Sequence, residues 1–485
     1  VTPAQPERRA GHAALACVAA SVALVAVTGL LGPSAAARPL PGRGPHPPYW
    51  IAADPSPWLV TGLLLAAVGA GAAGLLLGLR ALDRGWRPTP RRLLAGSVLA
   101  VAAVALVPPM GSADHLVYAA YGRIAALGGS PYIETPRQLA ERGDPVGRAV
   151  EAPWQDAPSI YGPLGTAEQW LAARLGGESP HAIVWWLTLF GAAAFGVTGW
   201  LLQRLAGPDE QDRARAALLW SLNPLLLFVA VNGAHIDTFG VVWAVAALLA
   251  VRRPTAPGAV AAGVLVALAC AVKLSFGLVV LALAWALRRH PARLAGLLLG
   301  GLVVGALAYL PVGLSAFNQL RTVSRLVSFG SAWRAVVGLF EALLGEPAAR
   351  TLISLLAWAL LAVVARALAR GLPWPRRYPD GERTALEATR AAAILGFAWL
   401  LTAPYTLPWY DVIAWAPFAV LAASWYDRLL VLRTAVLAAG YVPGRVVPLP
   451  DPLGPLTMGV RGVLGPAVGL ALLALVLLPR RVTRR

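Results

Sequence analysis

The stretch "LLAGSVLAVAAVALVPPMGSADHLVYAAYGRIAALGGSPY", Leu93–Tyr132, changes character once, and the fold turns on how that change is read. Its first half belongs to an apolar run, 90–109, with the roughly 20 residues that a helix needs to cross the hydrocarbon of a membrane. Just past that run come an acid (Asp114), a histidine (His115) and three tyrosines, followed by a long polar, Pro-rich segment. A buried core helix of a soluble domain would not repeat this arrangement along the whole chain. This sequence does.

Of the 485 residues, 58% are hydrophobic and only 13% charged, with mean hydropathy +0.65; a soluble domain carries about 25% charged residues. The deficit is spread throughout, which predicts an all-α polytopic membrane protein rather than a soluble one with an anchor. Apolar runs fall at 13–32, 57–79, 90–109, 181–203, 215–231, 236–251, 257–273, 276–288, 292–313, 350–369, 386–403, 412–430, 431–445 and 459–479. The first is too long for the apolar core of a signal peptide and lacks a cleavage site, so it is expected to be a span. The block Ala259–Leu287 is ambiguous, because Lys273 splits a run too long for one span and too short for two. A tilted helix and a broken, shallow pair both satisfy it.

The net charge of +18 alone would suggest nucleic acid, but the arginines sit in short clusters between apolar runs. Arg8/Arg9, Arg84–Arg92, Arg204–Arg215, Arg252/Arg253, Arg288–Arg293, Arg366–Arg383, Arg428/Arg433 and the terminal "RRVTRR" read as inner loops, and as contacts for anionic membrane lipids. About 12–14 spans are expected; with fourteen the clusters alternate, both termini lie inside, and 33–56, 110–180, 232–234, 314–349, 404–411 and 446–458 are left outside. The chain then divides into an N-terminal region with three spans (1–109), a structured extracytoplasmic loop (110–180), a central membrane core (181–313), an outer loop (314–349) and C-terminal spans (350–485). Cys17 and Cys270 both lie in apolar runs and imply neither a disulfide nor a metal site.

Nearly every unusual polar residue falls on the expected outer face. Asp114, Tyr118 and Tyr121 have i, i+4, i+7 spacing and share one helix face; Gly128, Gly129 and Pro131 end that helix. A carboxylate at this boundary suits a base that takes a proton from an attacking hydroxyl, or an N-cap. "NPLLLFVAVNGAHIDTFG" interrupts a span at Asn223–Pro224 and places Asn232, His235, Asp237 and Thr238 at the next boundary, as phosphate or sugar ligands or as caps. Lys273 stands in apolar sequence, which marks function by default, with snorkelling as the alternative. "TAPYTLPWYDVIAWAP" supplies Tyr405, Trp409, Tyr410 and Asp411, and "PWQDAPSIYGPLG" supplies Trp154, Asp156 and Tyr161, as stacking and hydrogen-bonding groups for a sugar ring or as an interfacial aromatic belt. "GTAEQWLAARLGG" has helical apolar spacing and is expected along the interface. Asp114 and Asp237 are the pair that would hold a divalent cation, though nothing in their spacing demands one.

These segments resemble the multi-spanning GT-C glycosyltransferases, and most closely the actinobacterial polyprenol-phosphate-mannose-dependent alpha-mannosyltransferases, including the glycosyltransferase family 87 group. Asp114, Tyr118, Gly122, Arg123, Gly128, Pro131 and Tyr132 match the family's first long loop. Tyr161–Gly162–Pro163 match its "YGP", Gly233/His235/Asp237 its turn at a helix start, Lys273 its lysine after the next span, and Pro408–Trp409–Tyr410 its late "PWY". Ile236 departs from the asparagine that many members carry there. No large soluble carbohydrate-binding domain follows, which leans toward mannose over arabinofuranose.

The resemblance implies transfer of mannose from a polyprenyl-phosphate donor to a lipid-linked glycan acceptor, with inversion and an alpha-1,6 linkage, at the outer face of the plasma membrane. In it Asp114 is the catalytic base. Arg123, His235, Asp237 and Lys273 bind the donor phosphate and sugar. Tyr118, Tyr121, Trp154, Tyr161, Tyr405, Trp409, Tyr410 and Asp411 bind acceptor and sugar. A polyprenyl-phosphate-arabinose transferase and a lipid or sugar transporter are the alternatives.

Overall fold

The computed structural model describes residues 5–42, 44–374 and 380–478, and among them the secondary structure is helical, with no strand. The terminal arginines 480–485 and Arg376/Arg377 lie outside the described residues. Among the described residues eight helices are long and apolar enough to cross a membrane: Glu7–Leu30, Pro57–Asp83, Pro180–Leu205, Glu210–Asn232, Pro291–Tyr309, Glu346–Gly371, Glu382–Thr402 and Leu453–Leu477. The remaining expected spans are occupied by shorter helices, including Pro90–Ala105, Asp237–Ala250, Ala256–Val272 and Trp425–Gly440. The chain is a multi-pass membrane protein.

Prolines open many of these helices, because their missing N–H would be unpaired at a first turn anyway. Ser56, Ser179 and Thr255 then cap the exposed amides through their hydroxyls, accepting from Leu59, Ala182 and Gly258. The ambiguous 259–287 block resolves into a broken pair. Ala256–Val272 ends at an extended Lys273 (φ −154°, ψ 126°), a short 3-10 turn follows, and Gly277–Leu287 resumes. The first of these helices crosses Pro291–Tyr309 so closely that a Cβ on Gly263 would overlap the Leu297 carbonyl; small residues permit that approach.

One boundary departs from expectation. The spans anticipated at 412–430 and 431–445 are instead Val412–Ala419 and Trp425–Gly440, with the break at 420–424. The cause is local. The buried Asp427 carboxylate accepts from the Ser424 amide at 2.7 Å and also takes Arg215 at 2.7 Å, so the second helix begins there.

Glu210–Asn232 runs through the centre, and its apolar stretch is buried throughout. It unwinds to π geometry at Ala217–Ser221 and Leu227–Asn232 and breaks at Pro224, where the Asn223 carboxamide accepts from the amides of Leu225 and Leu226. At one end of the bundle the arginine clusters meet acids: Arg252–Glu382 at 2.6 Å, Arg288–Glu387 at 2.8 Å and Arg428–Asp83 at 3.1 Å. The opposite end carries the 110–180 segment and the breaks at 232–237, 273 and 403–411.

Candidate active site

The polar residues of that end converge because three breaks in the membrane helices face the helix Asp114–Ala126. Asn232 sets the first break. Fully buried, it accepts from the Met110 amide at 3.2 Å and donates to the carbonyls of Val104 and Pro108 at 2.9 and 3.2 Å. It is therefore a clamp on the chain entering Asp114–Ala126 and not a cap of its own helix. Ala234 behind it adopts φ +51°, a conformation unfavourable for a residue with a Cβ, and this turn directs His235 inward.

Asp114 is the first residue of its helix, and Ala113 holds the N-cap position. The Asp114 amide is satisfied by the Ser112 hydroxyl at 3.2 Å, so its carboxylate is not engaged in capping. It lies 3.7 Å from His235 Nδ1. His235 is held on every side: Ser112 Oγ at 3.2 Å from Nε2, Tyr118 Oη at 3.3 Å from Nδ1, and the Trp409 ring stacked on it with centroids 3.7 Å apart. Tyr161 packs edge-on to Tyr118 and donates to its hydroxyl at 3.4 Å. Burial pushes the Asp114 carboxyl up to about 7, with Asp237 adding to the rise while the Lys273 ammonium and the Tyr118 hydroxyl oppose it.

Lys273, projecting from its extended break, donates to Asp237 Oδ1 at 2.7 Å, and its ammonium sits 3.5 Å from the centre of the Tyr410 ring. The second Asp237 oxygen is buried without a hydrogen-bond partner.

Two cavities adjoin at this place. One of about 140 Å³ is lined by Asp114, Tyr118, Tyr121, Trp154 and Tyr161. The other, about 270 Å³, is lined by Lys273, Ser275, Trp358, Trp399 and Thr402. Ile160, Val323, Tyr405 and Tyr410 line both and form the partition.

The anticipated face of Asp114, Tyr118 and Tyr121 thus becomes one wall of a cavity, with Tyr121 fixed by donating to the Ala157 carbonyl at 2.7 Å. Its helix lies directly on Pro163–Gly176: a Cβ on Gly122 would overlap the Gln169 carbonyl. Trp409 stands behind His235 and does not line either cavity.

Further expectations are corrected: like Trp409, His235 and Asp237 line neither cavity. Arg123 points away, its guanidinium paired with Asp144 and Glu178 at 2.8 Å each, so it tethers the loop and is not at the cavity. Asp411 is fully buried, with its oxygens taken by Arg433 and by the Thr434 hydroxyl, and it has none left for a sugar. Asp156 is exposed and paired with Arg137. A cation shared by Asp114 and Asp237 fits poorly, because Lys273 already holds one Asp237 oxygen. Among the described residues no three His, Cys, Asp or Glu side chains cluster to hold a metal ion.

Residues 14–289 match the MptA/B family, described as "Alpha-(1->6)-mannopyranosyltransferase, N-terminal domain". The chain belongs to this family. The matched stretch contains Asp114, His235, Asp237 and Lys273, so this MptA/B family member carries the polar half of its site within the shared region. The partition tyrosines Tyr405 and Tyr410 come from outside it. The chain is also similar to alpha-(1->6)-mannopyranosyltransferase B of Corynebacterium glutamicum, 29% identical over 144 residues. That match spans 28% of this chain and 22% of the relative. No solved structure matches.

Sequence reading did not single out Ser112, although "GSAD" places it two residues before the acid. It also missed Trp358, Trp399 and the uncharged Gln319, Thr322, Val323 and Leu326, which reach the cavities only through the tertiary fold.

Proposed function

We propose that this MptA/B family member transfers mannose from a polyprenyl-phosphate donor to a hydroxyl of a lipid-linked glycan, forming an alpha-1,6 linkage at the extracytoplasmic face of the plasma membrane. The observation that carries this reading is the juxtaposition of a carboxylate cavity and an ammonium cavity across one aromatic partition. The acceptor sugar occupies the Asp114 side, against Tyr118, Tyr121 and Trp154. The donor phosphate sits beside Lys273, and its prenyl chain runs past Trp358 and Leu361 into lipid.

Asp114 takes the proton from the acceptor hydroxyl as that oxygen bonds to the anomeric carbon. The bond from that carbon to the phosphate oxygen breaks, and prenyl phosphate leaves with its charge offset by Lys273. One displacement inverts the anomeric centre, so a beta-linked donor gives an alpha product. His235, clamped by Ser112, Tyr118 and Trp409, positions Tyr118 beside the base.

Because only the ionised carboxylate accepts a proton, and burial raises this group to about 7, kcat/KM is expected to rise with pH through about 7. An ordinary carboxylate would already be ionised above about 4. A rate independent of pH from 5 upward, in roughly the span where Asp114 changes charge, would contradict the assignment. Lys273→Met should lower transfer by about 10²–10³-fold, the scale for losing one group that stabilises a developing oxyanion. The companion variant Asp237→Asn/Lys273→Met, which removes both charges, should fold like wild type and stay inactive.

The reading is tested by giving the purified protein polyprenyl-phosphate mannose, arabinose or glucose with a mannosylated glycolipid, and determining the anomeric configuration of the product by NMR. Mannose transfer with inversion is expected. Transfer of arabinose alone would reassign the donor, and transfer of none would overturn the enzyme reading.

A further inference from the structure

A further cavity, larger than the two above, lies away from the site just described. It is a groove of about 1120 Å³ between Pro90–Ala105 and Pro180–Leu205, larger than the roughly 300–1,000 Å³ of ordinary small-molecule sites. It is layered along its length. Arg91, Arg204 and Arg213 line one end, with Glu210 the single acid among the lining residues. Among the described residues none of the three arginines meets a carboxylate within 4 Å; Arg204 lies over the Trp200 ring, and Arg213 Nε donates to the Gly207 carbonyl.

Farther in are two hydroxyls. Ser97 donates to the Leu94 carbonyl, whereas Ser221 is 5% exposed and its hydroxyl has no partner. Ser221 sits against Gly199, about 7.5 Å along the helix from Arg204 at 1.5 Å per residue. Beyond them the walls are apolar and small, with Ala102, Ala105, Ala192 and Ala193 leaving the space open. Val98 and Trp200, 67% and 54% exposed, form its lips.

Positive charge, then a free hydroxyl, then a long apolar trough is the sequence of layers in a glycerophospholipid: phosphate, ester carbonyl, acyl chain. We propose that this groove binds one anionic diacyl phospholipid from the leaflet at the arginine-rich end, with its phosphate among Arg91, Arg204 and Arg213 and an ester carbonyl accepting from Ser221. Basic recesses between membrane helices bind anionic headgroups for the same electrostatic reason. Snorkelling arginines alone would account for the charge, but not for the trough or for the unpaired buried hydroxyl. The proposed headgroup end, at Arg91, Arg204 and Arg213, lies at the opposite end of the bundle from Asp114, and none of the residues that line the two Asp114 and Lys273 cavities lines this groove.

The test is native mass spectrometry of the full chain, delipidated and returned to micelles containing equal phosphatidylglycerol and phosphatidylcholine of identical acyl chains. Wild type should retain one phosphatidylglycerol. Arg91→Gln/Arg204→Gln/Arg213→Gln should lose its retention on the order of 100-fold. Gly196→Phe should abolish retention by filling the trough; a Cβ there meets nothing within 4 Å, so the variant is expected to fold. Arg84→Gln, outside the groove, should behave as wild type. Equal retention of the two lipids, retention unaffected by either groove variant, or displacement by soluble glycerol phosphate as readily as by lipid would overturn the proposal.

Discussion

Asp114→Asn is expected to lower kcat by about 10²–10⁴-fold, the range that a positioned general base contributes, and to leave the protein folded. The change keeps shape and volume and removes only the capacity to take a proton. Its structural cost should be small for a specific reason. Asp114 caps nothing, because Ala113 holds the N-cap position and the Ser112 hydroxyl satisfies the Asp114 amide. Neutralising it also relieves the repulsion from Asp237 that helps to raise its pKa. Turnover at saturating donor and acceptor, with the thermal midpoint in the same detergent, separates chemistry from folding. A variant that unfolds, or one with unchanged kcat, would contradict this account of the residue.

Arg433→Ala should destabilise the protein by about 3–5 kcal/mol, the penalty for leaving a buried charge without its partner. Asp411 is completely enclosed and pairs with Arg433, which also donates to the Leu400 carbonyl at 3.0 Å and to the Thr406 hydroxyl. Through these contacts one guanidinium ties Glu382–Thr402 and Trp425–Gly440 to the turn that presents Tyr405 and Tyr410. Unfolding in mixed micelles should show the loss. Combining Asp411→Asn with Arg433→Met should recover most of it, because no uncompensated charge then remains. If the double variant is as unstable as Arg433→Ala, the pair is not the source of the effect.

How far the sequence discloses this molecule depends on the length scale of each signal. Spans are legible because hydrocarbon demands long apolar runs, and Asp114, Tyr118 and Tyr121 are legible because helical spacing fixes a shared face. Lys273 is legible as a cost that apolar sequence does not otherwise bear, although only the fold shows that the chain breaks there and that Asp237 is its partner.

Arg123 and Asp411 mislead for the opposite reason. Each is a charged residue close in sequence to cavity-lining residues, and its neutralising partners lie far along the chain: Asp144 and Glu178 for the first, Arg433 for the second. The break at 420–424 was written locally, in Ser424 and Asp427, but was masked by continuous apolar sequence on either side. The partition between the two cavities has no local signature at all, since Ile160, Val323, Tyr405 and Tyr410 meet only when three distant segments pack together.

The most direct test of the central claim is single-turnover transfer of labelled mannose from polyprenyl-phosphate mannose, by purified wild type and Asp114→Asn, across a range of pH. The account predicts a wild-type rate that climbs through about pH 7, and a variant rate that is low and flat. A variant that transfers mannose at the wild-type rate with the same pH profile would show that Asp114 is not the base.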